Sequence, residues 1–228
     1  MHYAADVKDV IYRYDGSFQG FLCCVFESYA RREIPSAICA PQQEQISLFE
    51  PRQILTEEQK ARRVFAGAER LGGQVKYRLT TGFLSGAPEK ELILLRFLRT
   101  AFAIGSGAAQ MLGDPDVAGA WELERAVCNE AHLFQEFLRF EQRGNLLGAV
   151  IHPKNFVLPL LRGHFCSRLP VEDFLIQDAT HKVAMLRHGS EVRYLQMERY
   201  DPAPDAAEEE WQQKTRAVLQ QRDDEAGG

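Results

Sequence analysis

The sequence predicts an α+β fold, with a helical middle of about five helices and a small antiparallel sheet formed from the N- and C-terminal segments. Three observations predict it. The chain opens with a β-branched and aromatic run, its middle repeats apolar residues at helical spacing, and short apolar runs separated by turn residues follow near its end. We expect one domain over residues 1–200 and an acidic, flexible tail over residues 201–228.

The first predicted elements are a strand, a turn and a helix. Residues 7–14 are rich in β-branched and aromatic side chains, and Asp15-Gly16-Ser17 has the composition of a turn. Apolar residues then recur at helical spacing from Phe18 to Tyr29, which predicts an amphipathic helix. Residues 35–51 show no periodicity, so we expect a polar connector there.

Two helices are predicted after the connector. Thr56 and Gln59 have the spacing of a capping box, which places the start of a helix. Gly72-Gly73 is a plausible end for it, because glycine favours helix C-termini. Residues 76–84 are expected to form a further short helix.

Two longer helices complete the predicted middle. Pro88 can open a helix that runs to about residue 104, since proline is tolerated in a first turn. Asp114 or Asp116 is expected to cap the longest helix, which reaches about Glu141.

The C-terminal part is predicted to combine strands with one short helix. Gly144-Asn145 breaks the long helix, and a strand over 146–151 and a short helix over 155–168 follow. Three further strands are expected to form an antiparallel meander, over residues 174–178, 182–187 and 191–197.

Charge is distributed unevenly along the chain. The formal net charge is -5, and residues 201–228 carry eight acids and three bases, which accounts for the whole imbalance. Residues 1–200 are therefore neutral. Within them, residues 60–99 hold nine Lys or Arg and three acids, an excess of six positive charges. Such a window suits phosphate backbones, although a solvated helix face is the competing explanation.

Several classes of protein are disfavoured. The apolar runs are too short to span a bilayer, and the first residues lack the pattern of a signal peptide, so the cytoplasm is the expected location. Five cysteines without paired spacing favour neither a disulfide framework nor a zinc or iron–sulfur site. No phosphate loop, nucleophile elbow, zinc-protease helix or deaminase motif occurs. We expect no metal and no cofactor, and whether the protein is an enzyme stays open.

Residues 132–168 hold the densest set of candidate functional side chains. His132 and Arg139 are seven residues apart, so they would share a face of the predicted long helix. Phosphate or nucleic-acid contact, a metal or acid–base site, and a purely structural role all remain open for this region. The candidate nucleic-acid contacts are Arg139, Lys154, Asn155, Arg162, His164 and Arg168.

Several segments carry a resemblance to a known family. The opening run is Tyr14-Asp15-Gly16-Ser17-Phe18-Gln19-Gly20-Phe21-Leu22, and further matches lie in 132–140, 151–168 and 174–178. Over most of residues 10–198 the chain resembles a bacterial family, domain of unknown function 4130, of probable DNA-metabolism proteins. The polar residues that the matching segments single out are Asp15, Ser17, His132, His152 and Asp178.

The resemblance implies a genomic setting. Members are encoded beside a radical-SAM protein assigned to DNA modification or repair, and some carry a fused uracil-DNA-glycosylase domain. Members usually continue past the last hairpin into a helical segment, of which this chain matches only Trp211 before an acidic, Gln-rich tail.

We therefore expect an accessory protein of DNA metabolism or repair that binds DNA, a radical-SAM partner, or both. One alternative is a small DNA- or nucleotide-processing hydrolase that uses His132, His152 or His164 with Asp178. The other alternative is a protein-interaction scaffold. Neutralisation of the basic window by nearby carboxylates, together with exposed apolar surface elsewhere, would favour it.

Overall fold

The computed structural model describes residues 6–41, 51–144 and 146–197. Six α-helices and eight strands lie within them, which confirms the α+β class. They divide into two compact units: one contains the described residues up to His132 together with Lys154–Val157, and the other contains Leu133–Pro153 and the described residues from Leu158 onward. The single domain over 1–200 stays a prediction, and the predicted tail lies outside the described residues.

The first unit contains a parallel three-stranded sheet. Its strands are β1 (Asp6–Arg13), β2 (Glu33–Cys39) and β3 (Pro51–Gln53), in the order β2-β1-β3. Helix α1 (Phe18–Ala30) connects β1 to β2, as a parallel pair requires. The strand, turn and helix predicted at the start of the chain are therefore confirmed.

The prediction of a polar connector over residues 35–51 is wrong at its start, because β2 runs to Cys39. This strand was not predicted because it contains Pro35 and Ser36, neither of which is typical of strands. Proline is tolerated here because β2 is an edge strand. Residues 42–50 of the predicted connector lie outside the described residues.

The prediction of one antiparallel sheet built from both ends of the chain is also wrong. β1 pairs in parallel with β2 and β3, while the C-terminal strands form a separate sheet in the second unit. The sequence pattern of a strand does not indicate which other strand it pairs with, which explains the error.

Helices form most of the first unit. They are α2 (Glu58–Arg70), α3 (Gly73–Phe83), α4 (Lys90–Ile104) and α5 (Pro115–Phe137), of which the residues from Leu133 onward belong to the second unit. The predicted short helix over 76–84 is confirmed as α3. Gly72 separates α2 from α3 with φ of 114°, a conformation that glycine adopts without strain. Among the described residues no helix is long and apolar enough to cross a lipid bilayer.

Two predicted helix starts need separate comment. Asp114 caps α5 as predicted, because its Oδ1 accepts hydrogen bonds from the backbone N–H groups of Asp116 and Val117. The capping box at Thr56 is wrong. The residue before α2 is Glu57, and the Thr56 hydroxyl donates instead to Asp15.

The core of the first unit lies between its sheet and its helices. Tyr12 from β1, Phe21 from α1, Leu79 from α3 and Phe97 from α4 are all fully buried in one cluster. Burial of side chains of this size supplies roughly 1.5–3 kcal/mol each, so this cluster is the main stabilising feature of the unit.

The second unit contains a mixed five-stranded sheet. Its strands lie in the order β4-β5-β6-β7-β8. Only β5 and β6 pair in parallel, and helix α6 (Leu158–Arg168) connects them. The predicted strand over 146–151 and the predicted meander are confirmed. The strands are β4 (Glu141–Arg143), β5 (Leu146–Ile151), β6 (Asp173–Asp178), β7 (Val183–His188) and β8 (Glu191–Gln196).

Aromatic packing joins α6 to this sheet. The ring of Phe140 meets Phe165 at 5.3 Å and Phe174 at 5.9 Å between centroids, both edge to face. Arg187 then fixes the loop after α6, because its guanidinium donates hydrogen bonds to the carbonyls of Leu169, Pro170 and Glu172. These contacts hold α6 and its exposed side chains in place.

Candidate functional site

The predicted motif Asp15-Gly16-Ser17 lies where β1 ends and α1 begins. Asp15 Oδ1 accepts hydrogen bonds from the backbone N–H and the hydroxyl of Ser17, at 2.9 and 2.7 Å. Its Oδ2 accepts one from the Thr56 hydroxyl at 2.7 Å, and Ser17 in turn caps α1 by accepting from the N–H of Gly20. Burial opposes ionisation of Asp15, but these hydrogen bonds outweigh it and lower its pKa.

A buried acid lies below this motif. Glu91 is 1% exposed in the first turn of α4, and its Oε1 accepts a hydrogen bond from the Tyr14 hydroxyl at 2.8 Å. Its Oε2 has no hydrogen-bond partner among the described residues. Burial raises the pKa of Tyr14 and of Cys24, and the nearby carboxyl of Glu91 raises both further. Cys24 is therefore held as a thiol and is not suited to nucleophilic chemistry.

Lys154 and Asn155 are held in the first unit by Glu130. The Glu130 carboxylate accepts hydrogen bonds from the backbone N–H groups of both residues, each at 2.8 Å, and from Asn155 Nδ2 at 2.7 Å. Asn155 Oδ1 accepts from the N–H of Gly86 at 3.0 Å. The side-chain amide of Asn155 thus both donates and accepts a hydrogen bond, and the residue is 8% exposed. The side chain of Lys154, in contrast, is exposed.

Asn155 also does not lie in a helix. The predicted helix over 155–168 begins later, at Leu158. The N-terminus of this helix therefore lies three residues further along the chain than predicted. The hydrogen bonds to Glu130 and Gly86 hold this segment in an irregular conformation instead.

Three predicted arginines are exposed in the second unit. Arg162 and Arg168 lie on α6, and Arg139 lies in the segment before β4. None of the three makes an ion pair with another described residue. The predicted long helix ends at Phe137, before Arg139, so the prediction that His132 and Arg139 share a helical face is wrong.

The basic window over residues 60–99 is partly neutralised by ion pairs. Four of its nine cations are ion-paired: Lys60 with Glu27 and Glu57, Arg62 with Glu58, Lys76 with Glu69, and Arg78 with Glu124. A fifth, Lys90, donates to the carbonyl of Phe83, and burial lowers its pKa. The window is therefore less available to phosphates than its composition indicates.

Asp178 has a histidine partner that the sequence did not single out. The carboxylate is fully buried at the end of β6, and its Oδ2 lies 2.6 Å from Nδ1 of His181. Its Oδ1 accepts hydrogen bonds from the backbone N–H groups of Thr180 and His181. The sequence signal covered only the backbone hydrogen bonds, because an Asp at the start of a turn favours accepting from N–H groups that follow it.

The remaining predicted histidines lie elsewhere. His152 is exposed directly after β5, and His132 is exposed near the end of α5. His164 lies on α6 with its ring edge-on to Phe165, and its buried Nε2 has no hydrogen-bond partner among the described residues. The hydrogen bonds of Asp178 described above go to the 180–181 turn rather than to any of these three rings.

The same Asp–His geometry recurs at the other end of β6. Asp173 Oδ2 lies 2.6 Å from Nδ1 of His188, and its Oδ1 accepts from the N–H of Gly189. In both pairs one carboxylate oxygen binds a turn N–H and the other binds the ring. Each Asp therefore stabilises a turn and also orients a histidine ring.

Tyr194 is an exposed aromatic residue that the sequence predictions missed. It lies on the edge strand β8 and is 42% exposed. Arg162 lies close enough to oppose the rise that burial causes in the pKa of its phenol. An arginine beside an exposed ring suits nucleic acid, because cations bind phosphates and aromatic faces accept bases.

The fold and these side chains define a two-unit α+β protein whose described residues include no group of three or more His, Cys, Asp or Glu able to hold a metal ion. The chain belongs to the DUF4130 family, a domain of unknown function, whose model matches residues 88–222, more than half of the chain. The predicted family is confirmed. The match begins after the opening motif at residues 14–22 and reaches past residue 198. No curated protein matches the chain.

Proposed function

We propose that this protein is an accessory factor of DNA metabolism or repair that binds DNA through the second unit. The observation that carries the proposal is the set of exposed arginines at 139, 162 and 168, which make no ion pair among the described residues. Unpaired cations are free to neutralise phosphates, whereas paired cations must first give up a carboxylate. Four of the nine cations in the 60–99 window are ion-paired, which supports the choice of the second unit for the proposed contacts.

The experiment compares two variants of equal charge change. In one, Arg139, Arg162 and Arg168 become glutamine. In the control, the ion-paired cations Arg31, Arg62 and Lys76 become glutamine. Binding of a labelled DNA at fixed low salt is measured by fluorescence anisotropy.

The first variant should bind DNA at least about tenfold more weakly than wild type, since each phosphate contact contributes to affinity. The control should bind within about threefold of wild type, because its cations are already neutralised. Equal losses in both variants would indicate a general charge effect and would refute the assignment of DNA contacts to these three arginines. No DNA binding by the wild type would refute the proposal itself.

Exposed apolar side chains support a protein partner as well. Leu133 and Phe137 are 56% and 71% exposed, and they lie four residues apart on the last turns of α5. The family resemblance favours a radical-SAM protein as this partner. Co-purification of the two proteins, with and without DNA, tests this part. Replacing Leu133 and Phe137 by glutamine should abolish it, and complex formation unchanged by these substitutions would exclude this surface.

A hydrolase remains the second candidate function, and the Asp178–His181 pair is the observation that favours it. A buried carboxylate that orients an imidazole is the geometry of a general base. Asp173 and His188 provide a matched control of the same geometry. If the protein hydrolyses DNA or nucleotides, His181→Ala should abolish turnover and His188→Ala should not. Equal activity in both variants would exclude the assignment.

A further inference from the structure

Tyr194 and Arg162 lie on one side of the second unit's sheet. Arg162 and Cys166 are four residues apart on α6, so they share a face of that helix. Tyr194 pairs with Met185, and Met185 pairs with Ile176, so Tyr194 lies on the face of the sheet where Phe174 packs against Phe165 of α6. Its phenol also interacts electrostatically with Arg162 and Cys166. Arg162 is exposed and makes no hydrogen bond or ion pair among the described residues.

Gly163 leaves open space beside Arg162. A Cβ added at this glycine would meet no atom within 4 Å, so packing does not require a glycine there. Glycine inside a helix is destabilising relative to alanine, which makes its presence on an exposed helix face informative. One use of a bare backbone is the close approach of a ligand.

We propose that Arg162, Gly163 and Tyr194 form a contact surface for single-stranded DNA. One base stacks on the exposed face of Tyr194, and the neighbouring phosphate lies over Gly163 and binds Arg162. The inference rests on the proposed DNA-binding function and adds the form of DNA that is bound. Single strands are favoured because their bases expose π-faces for stacking, whereas the bases of a duplex stack on one another.

The test measures binding of the full chain to a labelled single strand and to the corresponding duplex. Wild type should bind the single strand more tightly. Tyr194→Ala should weaken single-strand binding by about five- to hundredfold, the effect of losing one stacked base. Tyr194→Phe is the matched control. It keeps the ring and should bind within about twofold of wild type.

Gly163→Ala separates a binding role from a folding role. The substitution should keep or raise the thermal midpoint, since alanine favours helix and the site is open. It should nevertheless weaken single-strand binding, because the added methyl group holds the phosphate away from the helix. A loss of affinity in this variant therefore cannot come from unfolding.

Two results would overturn the inference while the proposed function stands. One is wild-type affinity for single strands in both Tyr194→Ala and Gly163→Ala. The other is an equal loss of duplex and single-strand binding in Tyr194→Ala. Absence of binding to either DNA form by the wild type would instead refute the proposed function, and the inference with it.

Discussion

Replacing Asn155 by alanine distinguishes a structural role from a DNA-binding role, both of which the sequence left open for this residue. Its Nδ2 donates to Glu130 at 2.7 Å and its Oδ1 accepts from the N–H of Gly86 at 3.0 Å. Asn155→Ala removes a hydrogen bond to a charged group, which contributes about 1.5–3 kcal/mol, and leaves a partly buried N–H unpaired, which costs about 1–3 kcal/mol. Because such contributions overlap, we expect a loss of about 3 kcal/mol in unfolding free energy.

The loss would be measured by thermal unfolding followed by circular dichroism. For a chain of this size, 3 kcal/mol corresponds to a fall of about 6–12 °C in midpoint. Glu130→Gln should cost less, about 1–2 kcal/mol, because its amide oxygen can still accept from Asn155. The double variant should lose less than the sum of the two single losses, since the residues share a network.

Glu122→Gln is the matched control for Glu130→Gln. Glu122 is exposed on α5, the helix that contains Glu130, and it makes no hydrogen bond or ion pair among the described residues. It should change stability by less than about 0.5 kcal/mol. The structural assignment of Asn155 is refuted if Asn155→Ala leaves the midpoint unchanged while DNA affinity falls, the behaviour of a phosphate ligand.

Three further predictions concern the turn at Asp15 and the loop after α6. The pKa of Asp15 is lowered in the folded protein, so its carboxylate stabilises the fold at pH values above the ordinary pKa of 3.8. This contribution is lost as the pH falls through the pKa of the folded state. Acid unfolding of wild type should therefore be steeper below about pH 4 than that of Asp15→Asn, and identical profiles would contradict the assignment. Gly20→Ala should destabilise by about 2–4 kcal/mol in urea unfolding, because its Cβ would lie 2.2 Å from Asp15 Oδ1. An unchanged midpoint would show that this turn can relax. Arg187→Lys should cost about 2–4 kcal/mol by the same measurement, because one ammonium cannot reach the three carbonyls that the guanidinium binds. Full retention of stability would mean that these hydrogen bonds do not hold the loop.

Local elements were largely predictable from the sequence. Helical periodicity placed α1, α3 and α6 to within a few residues, and the turn residues placed the hairpins of β6, β7 and β8. These features depend on neighbours in the chain. The strand β2 was not predicted, because Pro35 and Ser36 weaken the strand pattern in the sequence. It is recognised only from its pairing with β1 in the structure.

The candidate sites depended on contacts that are distant in sequence, so most could not be predicted. The hydrogen bonds between Asn155 and Glu130 join residues 25 positions apart, and no spacing rule indicates them. Tyr194 became a candidate only once the structure placed it beside Arg162 and left its ring exposed. Asp178 was singled out from the sequence as a polar candidate, and the structure shows that its histidine partner is His181 in the adjoining turn.

The most direct test of the proposed function is the salt dependence of DNA binding by the full chain. The account predicts measurable affinity at low salt. It also predicts that the logarithm of the binding constant falls linearly with the logarithm of the salt concentration, with a slope of about 0.7 per phosphate contacted on a single strand. Replacing Arg139, Arg162 and Arg168 by glutamine should make this slope shallower by about two, since three contacts are removed. A wild type that binds no DNA at low salt, or whose affinity does not change with salt, would contradict the account.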